Sequence, residues 1–318
     1  MSVQAPVGGA TRTIAKRRTE SRAAGPRLGL APYLFILPHL IFFIVFLGWP
    51  FFFGLYTSLF QYDFLRPEFR PFVGLDNYLR LFNSATVQSR EFWLSIRNTG
   101  EFILWSVAPL VIGGLFLALM LNGRFRGRNL FRMTFFAPYT LSVTAAAILW
   151  WWLFQSQGGL VNTLFQQFGL PRVNWLSSMP QAWIAITVAT IWWTVGFNTI
   201  IFLAALQEIP ADLYEAAAID GASTWQRFRY VTFPLLRPVT VLVITITLIA
   251  SANLFGQPYL MTAGGPVQRT ETVIYRIVVE GLNRHQMGSA AAMSILLAAA
   301  LMVLTFLNFK FFGRSESA

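Results

Sequence analysis

Residues 215–238 read E-A-A-A-I-D-G-A-S-T-W-Q-R-F-R-Y-V-T-F-P-L-L-R-P. This stretch is a short polar interruption between two long apolar segments. Its charges and its Pro and Gly punctuation exclude it from a bilayer core, yet its spacing predicts two short capped helices. Asp212 and Glu215 stand three apart, the spacing of a capping box. Ala216, Ala217 and Ala218 are strong helix formers with almost no bulk. Gly221 can take a left-handed C-cap. Ser223 and Gln226 repeat the capping-box spacing for a second helix. Pro234 and Pro238 are expected to end that helix and begin a membrane span. Taken alone, the pattern is either a helical linker or a docking knob. In the second case the alanine face would allow close approach, and Glu215 and Asp220 would meet charged partners.

The rest of the chain places this elbow beside a membrane. Of 318 residues, 55% are hydrophobic and only 12% charged, with 31 Phe and 11 Trp. A soluble domain carries about 25% charged residues. Six apolar segments stand out, at 31–60, 99–121, 133–154, 182–206, 236–258 and 287–311. Each reaches the roughly 20 residues that cross a bilayer core, and only helices do so with their own backbone satisfied. Buried helices of a large soluble protein would show a polar face over such lengths. The expectation is an all-α membrane protein with six transmembrane helices.

Lys and Arg placement sets the orientation. The tail before the first span carries Arg12, Lys16, Arg17, Arg18, Arg22 and Arg27; the loop after the second carries Arg124, Arg126, Arg128 and Arg132. The loop after the third has only Arg172. Both termini are therefore expected in the cytosol, with Lys310 and Arg314 in agreement. The segments 62–96, 155–181 and 259–286 become outer loops. The first mixes Arg66, Arg70, Arg80 and Arg90 with Asp63, Glu68, Asp76 and Glu91; the last carries Arg269, Arg276 and Arg284. Trp150, Trp151, Trp152 and Trp175 read as interface anchors. Residues 1–29 form a basic tail without apolar periodicity, expected to be disordered.

Several functions are excluded. The net charge of +11 sits at membrane borders and carries no nucleic-acid-binding motif. The chain has no Cys and two separated His, His39 and His285, so no metal site is expected and thiol chemistry is absent. No phosphate-binding loop and no polar catalytic cluster appears, which argues against an ATPase or a lipid-modifying enzyme. Apart from Glu101, near the start of the second span, the spans lack carboxylates. Proton-coupled transporters and channels usually keep one. Energy is therefore expected to come from a partner.

Two spans offer groups for a neutral polar solute. In the fourth, Thr190, Trp193, Thr194 and Phe197 fall on one helical face. In the fifth, Ser251, Asn253 and Gln257 are polar in an apolar setting. Aromatic faces and neutral hydrogen-bonding groups suit sugars, and helix–helix packing is the competing role.

The elbow resembles the EAA loop of ABC-importer permeases, specifically the carbohydrate-uptake branch of MalF/UgpA type. These are binding-protein-dependent transport system inner-membrane components. The matching positions are Glu215, Ala216, Ala217, Asp220, Gly221, Ala222, Phe228 and Pro234. The segments F-V-G-L-D-N-Y (72–78), R-N-L-F-R (128–132), W-W-L-F (151–154) and M-T-A-G-G-P (261–266) support it, so the resemblance covers nearly the whole chain beyond the tail.

The resemblance implies a type I ABC-importer permease fold over residues 30–318, with 207–235 as the cytosolic coupling loop. It implies a multi-pass protein of the bacterial cytoplasmic membrane, paired with a second homologous permease. A cytosolic ATPase dimer would bind ATP and Mg and receive the elbow, while an extracytoplasmic binding protein would deliver the solute. Glu215 would pair with a basic ATPase residue, and Gly221 would permit the bend. Asn253 matches a sugar-contacting Asn of the maltose type. The extra leading spans and inserted outer domain of that type are missing, which places this chain nearer the compact glycerol-phosphate and disaccharide forms. Glycerol-3-phosphate needs a cation, and the fourth and fifth spans supply none. The D-G-A form and the GGP turn lean, by resemblance, toward sugar over peptides, polyamines or metals.

Overall fold

A computed structural model describes residues 31–123 and 125–312; the tail expected over 1–29, and Arg124 and Arg314, lie outside them. The chain divides into two compact units, Met1–Phe51 and Phe52–Ala318. In the first, helix α1 (Ala31–Phe43) continues through a π turn, Ile44–Gly48, toward α2 (Trp49–Ser58), which extends past the division. Pro38 is accommodated inside α1.

The second unit is built on α4 (Val87–Asn122) and α8 (Gln181–Glu208). Thr86 starts α4 by accepting the Ser89 N–H on its side chain. At 36 residues, α4 is about 54 Å long, well beyond a bilayer core. Its first turns therefore belong to the stretch expected as outer loop, where α3 (Asp76–Phe82) also lies.

Small residues let the two long helices close on each other. A Cβ on Gly114 would sit 2.8 Å from that of Asn198. The buried Asn198 amide donates to the Leu110 carbonyl of α4 (3.3 Å) and to Thr247 Oγ1 of α11 (Phe233–Ala252) at 3.0 Å. Asn308 of α13 (Met287–Phe312) donates to Thr245 Oγ1 of α11 at 2.6 Å. Buried amides thus join four helices where apolar contact alone gives little direction in lipid. Between these polar joints run apolar layers, such as Val111, Ala118, Phe202, Leu206, Leu236 and Val243.

Two expectations are corrected. The span expected over 133–154 is not straight. Helix α5 (Arg128–Phe136) and a 3₁₀ turn, Ala137–Thr140, meet α6 (Val143–Leu153) at 98°. Pro138 lies in the turn, and Ser142 starts α6 afresh by accepting the Ala145 N–H. Those two residues were the sequence signal for the break. Likewise Pro234 and Pro238 do not separate the elbow from the fifth span. Helix α10 (Thr224–Arg227) passes through a π turn, Phe228–Thr232, into α11, giving one helix from Thr224 to Ala252. The π turn closes one residue further back, Phe233 N–H to Phe228 carbonyl, so the ladder is already re-spaced where Pro234 withholds its N–H.

Among the described residues, five helices are long and apolar enough to span a membrane, and six if the bent α5–α6 pair counts as one span. Trp150 and Trp175 are half-buried and pack against the core. Trp150 stacks on buried Phe154 and Trp175 is tilted against it, with ring centroids at 5.3 and 5.4 Å. Trp151 and Trp152 are the exposed pair. The outer stretches contain α7 (Leu160–Gln167) and α12 (Val273–Val278).

Candidate functional site

The elbow is assembled by local rules. Helix α9 (Ala211–Ile219) has Pro210 at its N-cap and no side-chain cap bond. The expected Asp212–Glu215 capping box is therefore not formed; the helix starts two residues early, leaving Asp212 inside its first turn. Its end is a Schellman turn: Ala222 N–H donates to the Ala217 carbonyl and Gly221 N–H to the Ala218 carbonyl. Gly221 takes φ +77°, where a Cβ costs about 1–2 kcal/mol. The Ser223–Gln226 capping box is present in both directions.

The result is an exposed pair of short helices. Glu215, Ala216, Asp220, Gly221 and Pro234 are exposed, while Ala217, Ala222 and Phe228 are half-buried. Ile219 is 86% exposed and Trp225 69%, an apolar tip that water alone would not select. Glu215 and Asp220 form no ion pair among the described residues. Tyr214 Oη and Thr232 Oγ1 lie 3.0 Å apart and tie α9 to the start of the long helix.

At the far end of that helix is a cavity of about 480 Å3. All seven candidates, Thr190, Trp193, Thr194, Phe197, Ser251, Asn253 and Gln257, line it. Two hydroxyls are held by their own helix, Thr190 donating to the Ile186 carbonyl and Thr194 to the Thr190 carbonyl. Thr190 Oγ1 also accepts from Gln257 Nε2 at 3.4 Å. Ser251 Oγ bonds Ser106 Oγ of α4 at 3.0 Å. Asn253 caps α11, donates to the Ile249 carbonyl and is exposed to the cavity. Trp193 donates its indole N–H to the Leu141 carbonyl at 3.1 Å, which fixes the ring.

Sequence reasoning missed Tyr139, Asn198 and Thr247 among the lining residues. Tyr139 sits in the α5–α6 break, stacked on Phe197 at 4.9 Å and tilted against Trp193 at 6.3 Å. A straight third span hid it. Two glycines allow the break to come so close. A Cβ on Gly196 would strike the Phe135 carbonyl, and one on Gly256 would lie 2.5 Å from Val143 Cγ2. Among the described residues, no charged side chain lines the cavity.

A third feature is the burial of Arg276, one of the charges of the last expected outer loop. Arg276 is 1% exposed and pairs with Glu91 of α4 at 2.7 Å and Glu280 at 2.9 Å. Arg284 joins Glu91 at 2.8 Å, and the carboxylate hydrogen bond holds its guanidinium above the usual range. Burial pushes the nearby Glu271 carboxyl up, with Arg276 opposing. Thr99 accepts the Val273 N–H, and the Thr272 hydroxyl donates to the Leu254 carbonyl beside the cavity. The segment 262–284 is thereby pinned both to α4 and to the cavity wall.

Residues 110–315 match the profile of a family described as binding-protein-dependent transport system inner membrane component. The trehalose/maltose transport system permease protein MalF of Thermococcus litoralis is 37% identical over 278 residues, covering 87% of this chain and 92% of that one. The sn-glycerol-3-phosphate transport system permease protein UgpA of Escherichia coli O157:H7 is 35% identical over 281 residues, covering 88% and 93%. A solved bacterial alginate ABC transporter, in complex with an alginate pentasaccharide-bound periplasmic protein, superposes with a TM-score of 0.74 at 26% identity. That likeness covers 87% of this chain and 92% of the other.

Proposed function

The chain belongs to the family of binding-protein-dependent transport system inner membrane components, and on that premise we propose that it forms half of the path of an ATP-driven importer for a neutral sugar. The observation that carries the solute is the cavity. Three aromatic rings, Tyr139, Trp193 and Phe197, face hydroxyl and amide groups with no charge between them. Aromatic faces take the CH-rich faces of a sugar ring, and the neutral groups take its hydroxyls. The UgpA relative favours the glycerol-phosphate reading, which would need the second permease to supply the cation.

The proposed assembly adds a second permease, a cytosolic ATPase dimer that binds ATP and Mg, and an extracytoplasmic binding protein. The protein would lie in the cytoplasmic membrane with both termini and the elbow in the cytosol. The exposed Glu215, Asp220 and apolar tip suit docking in an ATPase cleft. Motion passes inward along the helix Thr224–Ala252, about 43 Å long. The Tyr214–Thr232 bond makes displacement of α9 tilt this helix. Thr247 and Ser251 on it, and Asn253 at its end, then move relative to Trp193 and Phe197 on α8. This is rigid-body alternating access.

The test is solute-stimulated ATPase activity of the reconstituted four-component complex across a sugar panel and glycerol-3-phosphate. Stimulation by one neutral sugar, lost in Glu215→Ala, is expected. Stimulation by glycerol-3-phosphate alone would overturn the sugar assignment, and an intact complex that is indifferent to Glu215→Ala would overturn the coupling role.

A further inference from the structure

The loop between α4 and α5 has a build that neither the cavity nor the elbow explains. Phe125, Arg126, Gly127, Arg128, Asn129 and Leu130 line an open recess of about 550 Å3. Gly127 takes φ +91°, a left-handed turn that sets Arg126 and Arg128 around one recess. Phe125 also lines a second recess of about 410 Å3, whose other walls are Leu117, Met120, Leu121, Phe131 and Phe135. The Phe125 and Phe131 rings meet edge-on at 5.9 Å. Arg132 donates to the Leu121 carbonyl at 3.2 Å, and its buried Nε has no partner. Among the described residues, Arg126, Arg128 and Arg132 pair with no carboxylate.

The first recess carries Arg126 and Arg128, the second is lined by apolar side chains alone, and Phe125 is common to both; two such adjoining recesses at the end of a membrane helix fit one chemistry, acyl chain below and phosphate above. A soluble partner could reach the arginines, but Leu117, Met120 and Leu121 lie within the apolar run of α4. We propose that this is a site for an anionic glycerophospholipid. Its phosphate lies against Arg126 and Arg128, and one acyl chain runs along Met120 and Phe131. Helix α5, nine residues long, starts at the same point without a side-chain cap. The site depends on the chain spanning a membrane and not on which solute is carried.

The chain has no Cys, so Leu130→Cys can carry a single bimane label on the full chain in phosphatidylcholine nanodiscs. Trace spin-labelled phosphatidylglycerol or spin-labelled phosphatidylcholine then acts as quencher. At low salt each arginine near the surface contributes about fivefold. Phosphatidylglycerol should therefore half-quench at a mole fraction about 25-fold lower. R126Q/R128Q should bring the two lipids within about twofold, R126K/R128K should keep the preference, and high salt should shrink it. Equal quenching by both lipids overturns the site, as does a preference that survives R126Q/R128Q. Loss of preference in R126K/R128K with an unchanged elution profile also overturns it. So does displacement of the lipid by millimolar inorganic phosphate, which would mean an anion site alone, or shielding of the label by added ATPase, which would mean a protein surface.

Discussion

The elbow and the cavity stand at opposite ends of one helix, Thr224–Ala252, and are held together in opposite ways. The elbow is short-range throughout: a Schellman turn, a glycine in the left-handed region and a capping box, all closed within a dozen residues. The cavity is long-range throughout. Its walls come from α4, the α5–α6 break, α8, and α11 with the residues after it, and they meet only because Gly114, Gly196 and Gly256 carry no Cβ. On the proposed function the elbow is recognised by another protein, and such a surface can be written in consecutive residues. A space that must open and close between helices cannot, because its walls must belong to separately moving elements.

Substitutions at the two ends should separate accordingly, and the largest effect is expected at the cavity. Gly196→Ala forces a methyl onto the Phe135 carbonyl and should cost about 3 kcal/mol, the upper end for overpacking. A lower thermal midpoint of the detergent-solubilised chain, with elbow hydrogen exchange unchanged, is expected. An unaltered midpoint would break the contrast. Gly221→Val comes next, at about 2 kcal/mol of local strain. Uptake should fall at least roughly tenfold while solute affinity, read from ligand-dependent thermal shift, stays unchanged. Normal uptake would sink the coupling role.

Trp193→Ala should raise the half-saturating sugar concentration for ATPase stimulation about tenfold, or ~1.4 kcal/mol, leaving basal ATPase activity intact. An unchanged concentration would remove the ring from the solute site. Ser223→Ala removes one half of the capping box and should cost about 1 kcal/mol. Faster amide exchange confined to the first turn of α10 is the expected reading. Spread of that exchange into residues 247–253 would show the two ends to be one cooperative unit, sharpening the comparison in an unexpected direction.

Much of this was legible in advance for specific reasons. Gly221, Ser223 and Gln226 act on neighbours within five residues, so spacing sufficed. The face of Thr190, Trp193, Thr194 and Phe197 follows from helical periodicity alone. Asp212 misled because Pro210 caps the helix two residues earlier than the acidic residue suggested. Tyr139 escaped because an apolar run of 22 residues looks the same straight or bent, and hydropathy does not register Pro138 and Ser142 as a corner. Arg276 escaped because its partners lie four residues away on its own segment and, across the fold, at Glu91.

By itself the sequence determined that the chain is helical and membrane-spanning, and where its polar elbow falls. Composition, helical period and capping are local quantities set by lipid and backbone chemistry. Only the tertiary structure decided that the third span is broken, that Pro234 and Pro238 lie within one continuous helix, that Arg276 is buried, and that residues from four segments enclose one uncharged cavity. Each of these depends on which surfaces approach within a few ångströms, and that is settled by packing between residues far apart in the chain.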